Sequence, residues 1–116
     1  MILPPALIFY TDNLPEGVGG CANAFVVRIK TKYREDMGIL NHELCHVWQW
    51  WFTLGVGGIL YRFSRAYRLW AEAQAYRVQM RYPPAMTLDD AAQRLMSPRY
   101  NLNLTLDEAK THLEDT

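Results

Sequence analysis

The sequence predicts an α+β fold, a single small domain built from a sheet of two or three strands, two long helices and two short ones. Three observations carry this expectation. The apolar period changes from two to about 3.6 residues near Arg34. Clusters of glycine and proline separate the periodic segments. The 116 residues, 50% of them hydrophobic, suffice for one core and not for two.

Residues 1–33 read as strands and loop. Ala6 to Tyr10 is a short apolar run closed by Thr11-Asp12-Asn13, and Pro15 with the Gly17 to Gly20 cluster continues as loop. Between Ala24 and Tyr33 the residues alternate. Phe25, Val27, Ile29 and Thr31 fall on one side, and Val26, Arg28, Lys30 and Lys32 on the other. One buried and one charged face is the pattern of an antiparallel or mixed edge strand, where cations discourage pairing with other chains.

A helix is expected over 35–54, with Met37, Leu40, Leu44, Val47, Trp48 and Trp51 at helical spacing and Gly55, Gly57 and Gly58 ending it. Trp48 and Trp51 share the face of Leu44 and Val47 and read as core, whereas Trp50 points elsewhere and is a candidate partner contact. A second helix is expected over 60–82, free of glycine and proline until Pro83-Pro84. Residues 87–114 divide into two short helices. Thr87 and Thr105 serve as N-caps, with Asp90 and Glu108 at capping-box spacing.

Twelve basic and twelve acidic residues balance, so nothing in the net charge calls for nucleic acid. The basic segment is 61–86, where Arg62, Arg65, Arg68, Arg77 and Arg81 face one acid, Glu72. Its arginines read as a solvated helix face. Cys21 and Cys45 allow one disulfide at most, and reduced cytosolic thiols are expected, Cys21 in a loop and Cys45 as a small core residue. The first residues lack the basic flank of a signal peptide. No membrane span is expected, since Asn41, His42, Glu43 and Arg62 interrupt the most apolar region. Cytoplasmic residence follows as the expectation.

The chemistry concentrates in His42-Glu43-Leu44-Cys45-His46, inside the expected first helix. Residues four apart share a helix face, so both imidazoles can address one ion, while Glu43, rotated from them, can reach a water without being a ligand. Two of the chain's three histidines are spent here. A catalytic zinc takes three protein ligands and keeps one position open. Glu72, a lone acid among Leu69, Trp70, Ala71, Ala73, Ala75 and Tyr76 in the second helix, is the stronger candidate for the third. His112, close to the end of the chain, is the alternative ligand. For Glu72 the non-ligand reading is a salt bridge to Arg65 or Arg68, or a hydrogen bond from Tyr76. Orientation of the histidines falls to Asn41, Gln49 or a backbone carbonyl.

His42-Glu43-Leu44-Cys45-His46 followed by Glu72-Ala73-Gln74-Ala75-Tyr76 resembles the zincin metallopeptidases of the glutamate-ligand kind, the gluzincins. It is also similar to small zinc-peptidase-like proteins of phages and prophages. The likeness covers roughly residues 24 to 82. It implies a minimal zincin-like domain with zinc on His42, His46 and Glu72 and with Glu43 as general base. Tyr76, one turn after Glu72, is the residue we name as oxyanion donor. No His-x-x-Gly-x-x-His follows the motif, which sets the chain apart from the metzincins.

The expected activity is zinc-dependent hydrolysis of a peptide bond, in which zinc lowers the pKa of its water towards about seven and Glu43 takes the proton. The same donor set would also accept cobalt, nickel or manganese. The expected partners are a peptide or protein substrate lying along the strand from Phe25 to Thr31 and a protein that completes the cleft. The alternatives are a zincin-like domain that binds metal and acts only by protein interaction, and a metal-free helical module for an anionic partner.

Overall fold

The computed structural model describes residues 4–114 as an α+β domain. Three short strands, β1 (Leu7–Tyr10), β2 (Gly20–Asn23) and β3 (Val26–Ile29), precede five helices: α1 (Met37–Phe52), α2 (Val56–Phe63), α3 (Arg65–Gln79), α4 (Leu88–Leu95) and α5 (Leu106–Glu114). The sheet is mixed, in the order β1-β3-β2. β3 pairs parallel with β1, Leu7 opposite Val26 and Tyr10 opposite Ile29, and antiparallel with β2, Gly20 opposite Ile29 and Asn23 opposite Val26.

The alternation in β3 is as expected, Val27 and Ile29 being fully buried and Arg28 exposed. Its place in the sheet is not. β3 is the central strand, and the edge facing the helices is β2, formed by residues that read as loop. Gly-Cys-Ala-Asn carries no strand signal because its residues are small for another reason. A Cβ on Gly20 would stand 3.1 Å from Ile39 Cγ2, 3.3 Å from the Arg28 carbonyl oxygen and 3.4 Å from Glu43 Cγ, so glycine lets the strand lie against α1. Cys21 is therefore a strand residue.

Asp36 caps α1, its carboxylate accepting from Ile39 N–H at 2.9 Å. The long helix expected over 60–82 is two helices. Ser64 leaves the helical region (φ −112°, ψ 111°) and caps α3, accepting from Tyr67 N–H at 3.1 Å. α2 begins earlier than expected, directly after Gly55, whose φ of 87° makes the turn. Both short C-terminal helices form. Thr87 accepts from Asp90 N–H at 3.1 Å, and at Thr105 the capping box closes in both directions, at 2.9 and 3.2 Å.

Apolar burial occurs in two clusters. Val27, Ile29, Leu44 and Val47 join the sheet to α1, while Ala73, Tyr76, Ala91, Ala92, Leu95, Tyr100, Leu102, Ala109 and Leu113 join α3 to α4, α5 and the loop between them. α1 packs directly on α3 between these clusters, and polar side chains occupy that seam. Trp51 is not core: it is 37% exposed, packs on Phe25 and Trp50, and donates its Nε1–H to the Pro5 carbonyl at 2.8 Å. Trp50 is the better covered of the two. Arg65, which is exposed as expected, and the half-buried Arg68 also hold backbone partners. Arg65 donates to the Leu102 carbonyl from Nε at 2.8 Å and from Nη2. Arg68 donates to the carbonyls of Tyr100 at 2.6 Å, Tyr61 at 2.9 Å and Asn101 at 3.4 Å.

Candidate metal centre

The helical spacing of four places the His42 and His46 rings one turn apart, centroids 5.0 Å from each other, on the side of α1 that meets α3. Glu72 of α3 projects between them. His42 Nε2 lies 3.3 Å from one Glu72 oxygen, and His46 Nε2 lies 3.2 Å from each. Glu72 is 3% exposed. A buried carboxylate demands partners, and this one has three, since Tyr61 of α2 also donates its hydroxyl to it. Neither Arg65 nor Arg68 is among them. His112 is exposed on α5, with its carbonyl bonded by Arg77 at 3.1 Å, and lies outside the group.

Gln49 sets the tautomer of His46. Its amide nitrogen donates to the Ala71 carbonyl at 3.1 Å and to Gln74 Oε1 at 2.9 Å, which fixes Oε1 towards His46 Nδ1 at 2.9 Å. Nδ1 must then carry the proton. In the neutral ring Nε2 is a lone-pair donor aimed at the carboxylate. Asn41 plays no such part, because its amide donates to the Met37 carbonyl within α1 at 2.8 Å. His42 Nδ1 is the one buried side-chain nitrogen or oxygen without a partner among the described residues.

The electrostatics follow from this crowding. Burial raises the Glu72 pKa, but the His46 and His42 imidazoles outweigh it and hold the carboxyl far below its usual range. Burial lowers His46, and the Glu72 carboxylate overcomes that and lifts it to about 9. Burial, with Glu72 nearby, pushes the Cys45 thiol up to about 12 and leaves it inert.

One ligand atom each from His42, His46 and Glu72 lies within 4.8 Å of the others. Two imidazole lone pairs and a carboxylate meeting at one point repel unless a proton or a cation stands between them. Nitrogen, nitrogen and oxygen are the donors that zinc accepts in catalytic sites, so the chemistry of the set fits that ion.

Glu43 takes no part in this network: among the described residues its carboxylate makes no hydrogen bond or ion pair, and it sits between α1 and the Gly20 backbone. His42, Glu43, His46 and Glu72 border one open cleft of about 480 Å³. β2 forms one wall, and Trp50, Gly57, Gly58, Tyr61 and Tyr67 a second. Tyr76 borders it too. Its ring meets His42 edge-on, centroids 4.4 Å apart, and its hydroxyl is 2.7 Å from that of Tyr100. One of these hydroxyls donates to the other, and the acceptor keeps a proton of its own.

Sequence reasoning missed Tyr61, Tyr100 and the arginines Arg94 and Arg99, which also border the cleft. Tyr61 carried no signal, because its approach to Glu72 depends on the break at Ser64. Comparison of the chain with protein families, with curated proteins and with solved structures returns no match. The functional reading therefore rests on the site itself.

Proposed function

We propose that the protein is a zinc-dependent peptidase or peptidase-like hydrolase of zincin type. One observation carries this reading: two imidazoles and a buried carboxylate from a second helix converge, while the glutamate following the first histidine is left unengaged beside them. His42, His46 and Glu72 would hold the ion, which supplies a Lewis acid for the scissile carbonyl and lowers the pKa of a water. Glu43 takes the proton of the attacking water and returns it to the leaving amine. The Tyr76–Tyr100 pair supplies the hydroxyl proton for the developing oxyanion. Gln49 keeps the His46 lone pair turned to the centre.

The substrate strand belongs along β2 and not along the segment from Phe25 to Thr31, whose two edges are both paired. The bond from Lys30 N–H to the Gly19 carbonyl, at 2.9 Å, sets the alternation of the β2–β3 ladder. That alternation turns the backbone groups of Gly20 and Ala22 outward, to the edge bordering the cleft, where an extended peptide can add a strand.

A second observation favours the interaction reading, or a partner that completes the cleft. Val56, Ile59, Leu60 and Phe63 fall at i, i+3, i+4 and i+7 on α2, and all are exposed, Phe63 by 78%. α2 also carries cleft residues, so a protein seated on this stripe would frame the site. The Glu43→Gln variant separates the readings. Hydrolysis of unstructured peptides by the zinc-loaded wild type, lost by about 10²-fold or more in a variant with equal zinc, supports catalysis. No hydrolysis by either, at full zinc occupancy, leaves the interaction reading.

A further inference from the structure

The cleft has a third wall, of which the chemistry proposed above uses Tyr100 alone. Arg94, in the last turn of α4, and Arg99, in the short helical turn Pro98–Tyr100, border the same cavity as His42, Glu43 and Glu72. Among the described residues neither arginine is in a salt bridge. Arg65 and Arg68, by contrast, have their guanidinium groups engaged by backbone carbonyls. The Arg99 guanidinium carbon stands 5.2 Å from the Tyr100 ring centroid. Stacking on a ring holds a guanidinium in place without consuming its in-plane N–H donors.

Arg94 and Arg99 line this cleft together with β2 residues Gly20 to Asn23 and with Tyr61 and Tyr76. Of the two buried acids bordering the cleft, Glu72 is taken up by two imidazoles and a hydroxyl, and Glu43 is in a salt bridge with neither arginine.

Resting on the hydrolase reading above, we propose that Arg94 and Arg99 form a subsite for a carboxylate of the peptide substrate. A guanidinium presents parallel N–H donors that match a carboxylate in geometry and charge, and a partly enclosed cleft strengthens that pairing. The carboxylate belongs either to the free C-terminus of the peptide or to an acidic side chain. The chain accordingly prefers acidic peptides or bonds near a C-terminus.

The test measures binding of three peptides to the full-length Glu43→Gln protein loaded with zinc, by calorimetry. The first is an N-acetylated neutral tetrapeptide with a free C-terminus, the second its C-terminal amide, and the third an amide carrying one glutamate. One carboxylate peptide or the other should bind about tenfold or more tighter than the neutral amide. The one that gains identifies the source. Adding Arg99→Gln should reduce the preference to about threefold or less at unchanged zinc content. Arg94→Gln, on a different element, repeats the test should the first variant fail to fold. Equal affinity for all three, or binding of none at millimolar concentration, overturns the subsite and leaves the hydrolase reading standing. Failure to hold zinc overturns the hydrolase reading instead, and the same series on the metal-free chain then decides the subsite alone, since neither arginine is in the metal-binding group.

Discussion

Gln49 Oε1 accepts the proton of His46 Nδ1 at 2.9 Å, while the same side chain donates to Ala71 of the facing helix at 3.1 Å. One residue thereby orients the His46 ring and ties α1 to α3 at the point where Glu72 enters. The His42–His46–Glu72 group is thus organised across two helices. Replacing Gln49 by Leu frees the imidazole to rotate. Zinc affinity, measured by competition with a chelator, should fall about 10- to 100-fold with the fold retained. Unchanged affinity would show that Gln49 is only an interhelical link.

In the metal-free chain, the pairing of His46 with Glu72 makes stability depend on pH. His46 is raised from 6.5 to about 9 on folding, so its contribution is fully present below 6.5 and lost as pH rises through about 9. Glu72 is depressed, so its contribution is present above the ordinary carboxylate range and lost only in strong acid. The melting temperature of the metal-free protein should drop by several degrees between pH 6 and pH 9. Glu72→Gln should flatten that decline, and an equal slope in both proteins would refute the pairing.

Arg68 is the pin between the halves of the cleft. Its guanidinium bonds the Tyr61 carbonyl of α2 and the Tyr100 carbonyl of the α4–α5 loop. Arg68→Leu leaves part-buried carbonyls without donors, at a cost of about 1–3 kcal/mol. That corresponds to a melting point lower by about 4–8 °C per kcal/mol for a domain of this size. A change of under a degree would mean that water replaces those bonds freely.

Ala22→Pro removes an N–H from the outward edge of β2 without taking a bond from the β2–β3 ladder. Peptide hydrolysis should fall about tenfold or more at unchanged zinc. Unchanged hydrolysis would place the substrate elsewhere in the cleft.

The periodic part of this architecture was legible in the sequence. The helical spacing of Met37 to Trp51, the threonine caps and the alternation around Val27 each express one local rule, and each element formed. Illegible features were those in which a residue serves something distant. Gly20 reads as loop, but its missing Cβ admits Ile39 and Glu43. Ser64 lies inside the single helix expected over 60–82, but it caps α3. Arg65 and Arg68 read as a solvated stripe, although their partners are carbonyls more than thirty residues onward. At the site, His42, His46 and Glu72 come together as the sequence led one to expect, whereas Tyr61, Arg94 and Arg99 join through a helix break and a turn that no periodicity announces.

The central claim is a three-ligand metal centre, and metal content tests it most directly. Elemental analysis of the purified protein, beside Glu72→Ala prepared identically, should give near-stoichiometric zinc in the wild type and a sharp fall in the variant. Zinc unchanged in the variant, or absent from both after zinc is supplied, would contradict the centre described here.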